Sequence, residues 1–152
     1  MNNYIAIDPG GNGALVVINS KGEVTSVVKC PDTDKDILEA LRPYKGDAVV
    51  YIEKLWGHAG LMGSKASIWT QAENYGKLLM ACMAMEMQLH EIPPAKWQKE
   101  YSMKKGKDIT PKDWKAQLKD RAQKLFPTEK ITLWNADALL IARYCYTTEC
   151  RN

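Results

Sequence analysis

The stretch Tyr4-Ile5-Ala6-Ile7-Asp8-Pro9-Gly10-Gly11-Asn12-Gly13-Ala14-Leu15-Val16-Val17-Ile18 decides how the rest of the chain is read. Two runs of strand-forming residues flank a Gly/Pro turn. Alternation puts Tyr4, Ala6 and Asp8 on one face of the first run and Ile5 and Ile7 on the other. Asp8 closes an apolar strand, a costly place for a carboxylate unless it is solvated or coordinated. The glycines after it let a backbone, a metal or a phosphate approach closely. Taken alone, the stretch is equally compatible with an ordinary hairpin whose turn begins Asp-Pro-Gly.

Working outward, the first strand spans about 3–8, the second about 13–19 and a third about 23–29, with Ser20-Lys21-Gly22 as the turn between the last two. A short helix over about 33–41 follows, capped by Asp32 or Thr33 and ended by Arg42-Pro43. Residues 47–53 form a fourth, nearly all-apolar strand that ends in a second acid, Glu53. A Gly-rich loop over 54–63 carries Trp56 and His58. A long helix then runs from Ser64 to about Gln88. It is apolar around more of its circumference than one sheet face needs, which points to either a central core helix or a second copy of the chain on its far side. Gly76 inside it costs about 1 kcal/mol against Ala, and close packing would explain its presence. His90-Glu91-Ile92 makes a short fifth strand, 95–100 a helical turn, and Lys104-Lys105-Gly106-Lys107-Asp108 a charged loop. Thr110-Pro111 starts a helix that runs to Phe126-Pro127, and the last helix begins near Asn135.

Composition narrows the class. The 152 residues suit one domain with a real core, with no repeats. No apolar run reaches the ~18 residues of a membrane span, and no signal peptide precedes the first strand. The four cysteines form no CxxC pair and there are two histidines, so zinc is disfavoured and free thiols in a reducing cytoplasm are expected. The net charge of +3 is uneven. Lys96 to Lys130 carries ten Lys and one Arg against five acids, leaving the remainder of the chain net negative. A basic block beside an acidic body suits a polyanion binder, although a solvated helix face would have the same composition.

Three acids stand at comparable places. Asp8 and Glu53 end strands, and Asp137 opens the last helix on a stripe with Leu140, Ile141 and Tyr144. If the first and fourth strands are parallel neighbours, Asp8 and Glu53 share the carboxyl edge of the sheet, and the last helix can bring Asp137 to it. Three clustered carboxylates repel, and a divalent cation removes that penalty. Oxygen ligands favour Mg²⁺ or Mn²⁺ over Zn²⁺.

These motifs resemble the RuvC-like Holliday-junction resolvases of the RNase H-like superfamily, especially its small phage-type members. The resemblance rests on Ile7-Asp8-Pro9-Gly10, Ile52-Glu53-Lys54 and Ala136-Asp137-Ala138-Leu139-Leu140-Ile141-Ala142. Weaker matches are Asn74-Tyr75-Gly76, Pro93-Pro94-Ala95-Lys96-Trp97-Gln98-Lys99 and Leu125-Phe126-Pro127. The implied fold is α/β, RNase H-like: a five-stranded mixed sheet, antiparallel meander plus parallel strands, flanked by helices. The implied activity is a homodimeric endonuclease that cuts four-way DNA junctions using two Mg²⁺ ions per site, with Mn²⁺ able to substitute, in a bacterial or phage-infected cytoplasm. Asp8, Glu53 and Asp137 match the family's metal-binding carboxylates. Trp56 matches a position where relatives carry an aromatic wedge, and Lys115 falls near a lysine that contacts the scissile phosphate. Lys54, Lys104, Lys105 and Lys107 join Lys115 as expected DNA contacts. One departure is plain: relatives carry a fourth acid or a His three to five residues before the last Asp, where this chain has Thr132, Leu133 and Trp134, followed by the neutral Asn135. Asp108 or Asp113 is the expected replacement. Another RNase H-like nuclease acting on RNA or branched DNA, a junction binder with weak cleavage, and an actin-like ATPase phosphate loop at Asp8–Gly13 remain open.

Overall fold

The computed structural model describes residues 1–55 and 63–151. Strands β1 (Asn3–Ile7), β2 (Ala14–Asn19), β3 (Val24–Lys29), β4 (Ala48–Glu53) and β5 (Gln88–Ile92) form one sheet in the order β3-β2-β1-β4-β5. The meander β1–β2–β3 is antiparallel, whereas β4 runs parallel to β1 and β5 parallel to β4. Its helices are α1 (Asp34–Leu41), α2 (Lys65–Ala84), α3 (Pro94–Glu100), α4 (Pro111–Leu125) and α5 (Ala136–Cys150). This is the mixed, helix-flanked sheet that the sequence predicts.

Side-chain alternation divides the core in two. Tyr4, Ala6, Val16, Val49 and Tyr51 pack with α5, Trp97 of α3 and the apolar face of α4. Ile5, Ile7, Leu15, Val50 and Ile52 pack with α1 and with Leu78, Ala81 and Cys82 of α2. Helix α5 lies at the centre of its layer, so Ala136 to Ala142 are buried without a break. That explains why its sequence is apolar all round rather than amphipathic.

The helix starts follow the expected caps. Thr33, Ser64 and Thr110 each accept a backbone N–H three residues on, from Asp36, Ser67 and Asp113. The end of α2 differs from expectation, stopping at Ala84 rather than near Gln88. Glu86 turns into the left-handed region at φ 58°. Its N–H donates to Met83 O at 3.0 Å and that of Met87 to Cys82 O at 3.1 Å, a Schellman ending built without glycine. The released chain lets β5 begin at Gln88, two residues earlier than expected. Gly76 also departs from its expected role: a Cβ there would meet nothing within 4 Å, so no other part of the described chain packs on it. The four cysteines are free. Among the described residues, no helix is long and apolar enough to cross a membrane.

Candidate active site

Asp8 follows β1 by one residue rather than ending it, but its N–H still donates to Ala14 O at 2.9 Å. The strand alternation therefore continues through it, and Asp8 falls on the α5 side with Tyr4 and Ala6. Because Ile7 pairs with Ile52 in the parallel ladder, Asp8 and Glu53 leave the sheet at the same edge. Glu53 follows Val49 and Tyr51 on that same side. Between the strands, the Gly13 N–H closes the turn onto Gly10 O at 3.1 Å. A side chain at Gly13 would run into the Asp8 carbonyl, so this position has no room for a Cβ.

Asp137 comes from the first turn of α5, where the helix dipole favours an anion. Asn135 fixes the entry to that helix. Its Oδ1 accepts the Thr132 N–H at 2.8 Å and its Nδ2 donates to Lys130 O at 3.0 Å. Asp137 is 6 % exposed. Its Oδ2 takes the Lys115 ammonium of α4, while its Oδ1 is buried without a hydrogen-bond partner. The basic partner that the sequence did not reveal is therefore Lys115, which meets a carboxylate instead of standing free.

Each of the three carboxylates acts on the others. Removal from water, then repulsion from Glu53 and Asp137, pushes the Asp8 carboxyl well above its usual range, with Lys115 opposing. Removal from water and the Asp137 charge raise Glu53 to about 7, against the Trp97 hydrogen bond and Lys115. For Lys115, burial lowers the pKa, but Asp137, Asp8 and Glu53 outweigh it and hold the ammonium charged. Among the described residues, no three His, Cys, Asp or Glu side chains close into a ready-made metal cage. Even so, an all-oxygen donor set that repels itself and an orphaned buried Asp137 oxygen suit a hard divalent cation.

These shifts predict a pH dependence. A carboxyl that is harder to ionise in the folded state stabilises the fold below its unfolded pKa and loses that contribution as pH rises through the folded one. With divalent cations chelated, stability should fall between about pH 4.5 and 7, the two ends of the Glu53 shift. The expected loss is roughly 2 kcal/mol. Urea melts at pH 5 and pH 8 check this, and Glu53→Gln should flatten the difference. Equal slopes in the two proteins would contradict the assignment.

Trp97 is a site residue to which the sequence motifs assign no role. It is fully buried and its Nε1 donates to Glu53 Oε2 at 2.8 Å. A buried indole N–H needs an acceptor, and that requirement was the available signal. The expected replacements for the fourth ligand do not reach the cluster. Asp113 is exposed and its Oδ2 accepts the Thr110 hydroxyl at 2.7 Å, while Asp108 is exposed in the chain between α3 and α4. Leu133 is exposed, Trp134 lies under Lys29 and Asn135 is used in the turn. Lys104, Lys105 and Lys107 are exposed before α4, and Lys54 lies next to Glu53 with its N–H donating to Ile92 O at 2.8 Å. Trp56 and most of the 54–63 loop lie outside the described residues.

With this fold and site described, comparison adds a relationship at the level of fold. No protein-family profile and no curated protein matches the chain. Solved structures do match it. Thermus thermophilus RuvC aligns over 98 % of this chain and 96 % of its own, with a TM-score of 0.61 and 15 % identity. T. thermophilus RuvC in complex with a Holliday junction substrate aligns over 97 % and 96 %, with a TM-score of 0.63 and 15 % identity. The chain thus has the RuvC-type, RNase H-like fold.

Proposed function

We propose that the chain is a structure-selective DNA endonuclease that resolves four-way junctions by metal-dependent phosphodiester hydrolysis. The observation that carries this reading is the meeting of Asp8, Glu53 and Asp137, from three separate elements, at one sheet edge. The shared fold with a protein solved on a Holliday junction supports it. Asp8, Glu53 and Asp137 would hold Mg²⁺, or Mn²⁺ in its place, with Asp8 shared between two ions. Bound there, such ions supply an activated water and offset charge on the phosphate and leaving oxygen.

The chain's own residues prepare that site. Trp97 fixes one Glu53 oxygen and leaves Oε1 to face the cluster. The Ala14 carbonyl holds the Asp8 backbone in line with the sheet. Lys115 stays protonated beside Asp137 and can pass from that carboxylate to a phosphate oxygen when DNA arrives. Cutting of a four-way junction, a linear duplex and an RNA–DNA hybrid, compared in Mg²⁺, tests the reading. Junction-selective nicking supports it, and preferential hybrid cutting would replace it with an RNA-directed activity.

The exposed lysines before α4 should neutralise backbone phosphates. Changing Lys104, Lys105 and Lys107 together to Gln should lower the slope of log affinity against log salt, by up to about one unit for each phosphate no longer neutralised. Junction binding titrated from low to moderate salt measures this. An unchanged slope would remove these residues from the interface.

A homodimer would supply two sites for paired cuts. The α2 face supports it: Trp69, Met80 and Met83 are 73, 64 and 62 % exposed. Met80, Gly76 and Ala84 line a groove of about 470 Å³ with Ile37 and Leu38 of α1. The open space over Gly76 would admit a second α2. Met80→Glu with Met83→Glu should shift the mass in sedimentation from dimer to monomer at micromolar protein. A monomeric wild type would contradict this interface.

A further inference from the structure

We propose that the cavity between the Asp8–Gly13 loop and α2 receives an unstacked nucleobase beside the phosphate being cut, and so makes cutting depend on sequence. This rests on the endonuclease reading above and names a recognition site for it. The cavity measures about 420 Å³, within the size range of small-ligand pockets. Pro9, Gly10 and Gly11, which directly follow Asp8, form one wall, and Leu55, two residues past Glu53, forms part of another. A group seated here adjoins the carboxylates.

The facing wall is a polar stripe on α2. Ser67, Thr70, Gln71 and Asn74 fall at i, i+3, i+4 and i+7, so they share one helix face. All four are uncharged hydrogen-bonding groups. Ser67 Oγ accepts from Gln71 Nε2 at 3.0 Å, and Thr70 Oγ1 donates to Ala66 O at 3.0 Å while keeping its lone pairs. Asn74 Nδ2 reaches Pro31 O at 3.5 Å, and its Oδ1 has no hydrogen-bond partner.

Charge selects the occupant. Lys77 at the rim is held by Asp34 at 2.8 Å and Glu73 at 3.7 Å, and Asp32 and Glu73 add negative charge to the lining. A phosphate is disfavoured there. A base is neutral, carries donor and acceptor edges for the α2 stripe, and has flat faces that Pro9 and Leu55 can cover. A Cβ on Gly10 or Gly11 would meet nothing within 4 Å, so the wall on that side is bare backbone bordering open space.

Two measurements separate this proposal from the reading on which it rests. In the first, junctions randomised around the crossover are cut and the nick positions sequenced. The wild type should prefer one base beside the nick by about tenfold, and Thr70→Ala and Gln71→Ala should reduce this to about twofold or less with junction affinity unchanged. Indifferent cutting by the wild type, or full preference in both variants, overturns the base pocket and leaves the endonuclease standing. In the second, 2-aminopurine is placed on either side of the cut phosphate, without metal. Its fluorescence should rise when the wild type binds and rise several-fold less with Gly11→Leu, which fills the cavity at a position without positive φ. Equal fluorescence in both proteins overturns the pocket. Brightening on a junction that is never nicked overturns the endonuclease and keeps the pocket.

Discussion

Asp8→Asn, Glu53→Gln and Asp137→Asn are each expected to slow junction nicking by roughly a thousandfold while leaving junction affinity within a few-fold of wild type. Each substitution keeps the shape of the side chain and removes one negative charge from a cluster that withdrawal from water already opposes. Asp8 should be the most sensitive, because both Glu53 and Asp137 act on it and its place at the end of β1 leaves it no substitute. The metal-free variants should also melt higher than wild type at pH 8, since each relieves repulsion. This combination, lost cutting with gained stability, separates a charged reaction site from three acids that merely support the fold. A variant that cuts at near wild-type rate would place the site elsewhere.

Gly13→Ala is expected to destabilise the protein by about 2–4 kcal/mol and to depress cutting along with it. The new methyl would strike the Asp8 carbonyl and lie 3.3 Å from the Asp8 side-chain carbon, so either β2 or Asp8 must move. The Gly13 O also accepts the Cys30 N–H at 3.0 Å, which ties the turn to the end of β3. Gly11→Ala is the control, because a Cβ there meets nothing within 4 Å. Urea melts and nicking rates of the two variants check the contrast. Equal stability would show that the turn relaxes freely and does not set the position of Asp8.

Much of this architecture was legible in the sequence because it is written in local patterns. The alternation through Tyr4–Asp8 gave both the strand and the face that carries Asp8, and Thr33, Ser64 and Thr110 marked helix starts through local hydrogen bonds. The end of α2 was not legible, because its Schellman turn places Glu86 where glycine is the usual signal. Asp8, Glu53 and Asp137 could be picked out by their positions at element ends. Their partners could not. Lys115 reaches Asp137 from 22 residues away and Trp97 reaches Glu53 from 44 away, and no periodicity encodes either meeting. Gly13 read as loop flexibility, whereas its role is to leave space beside Asp8. The expected stand-ins for a fourth ligand failed for local reasons as well, since Asp113 is part of the α4 cap and Asn135 is part of the turn into α5.

The most direct test of the central claim is digestion of a supercoiled plasmid that extrudes a cruciform, a four-way junction held in closed circular DNA. Paired cuts across the junction linearise the plasmid within one binding event, whereas single cuts only relax it. The account predicts linear product from the wild type in Mg²⁺ or Mn²⁺, ends mapping to the cruciform base, and none from Asp8→Asn or in chelator. Relaxed circles alone, cutting away from the cruciform, or linear product that survives Asp8→Asn would contradict it.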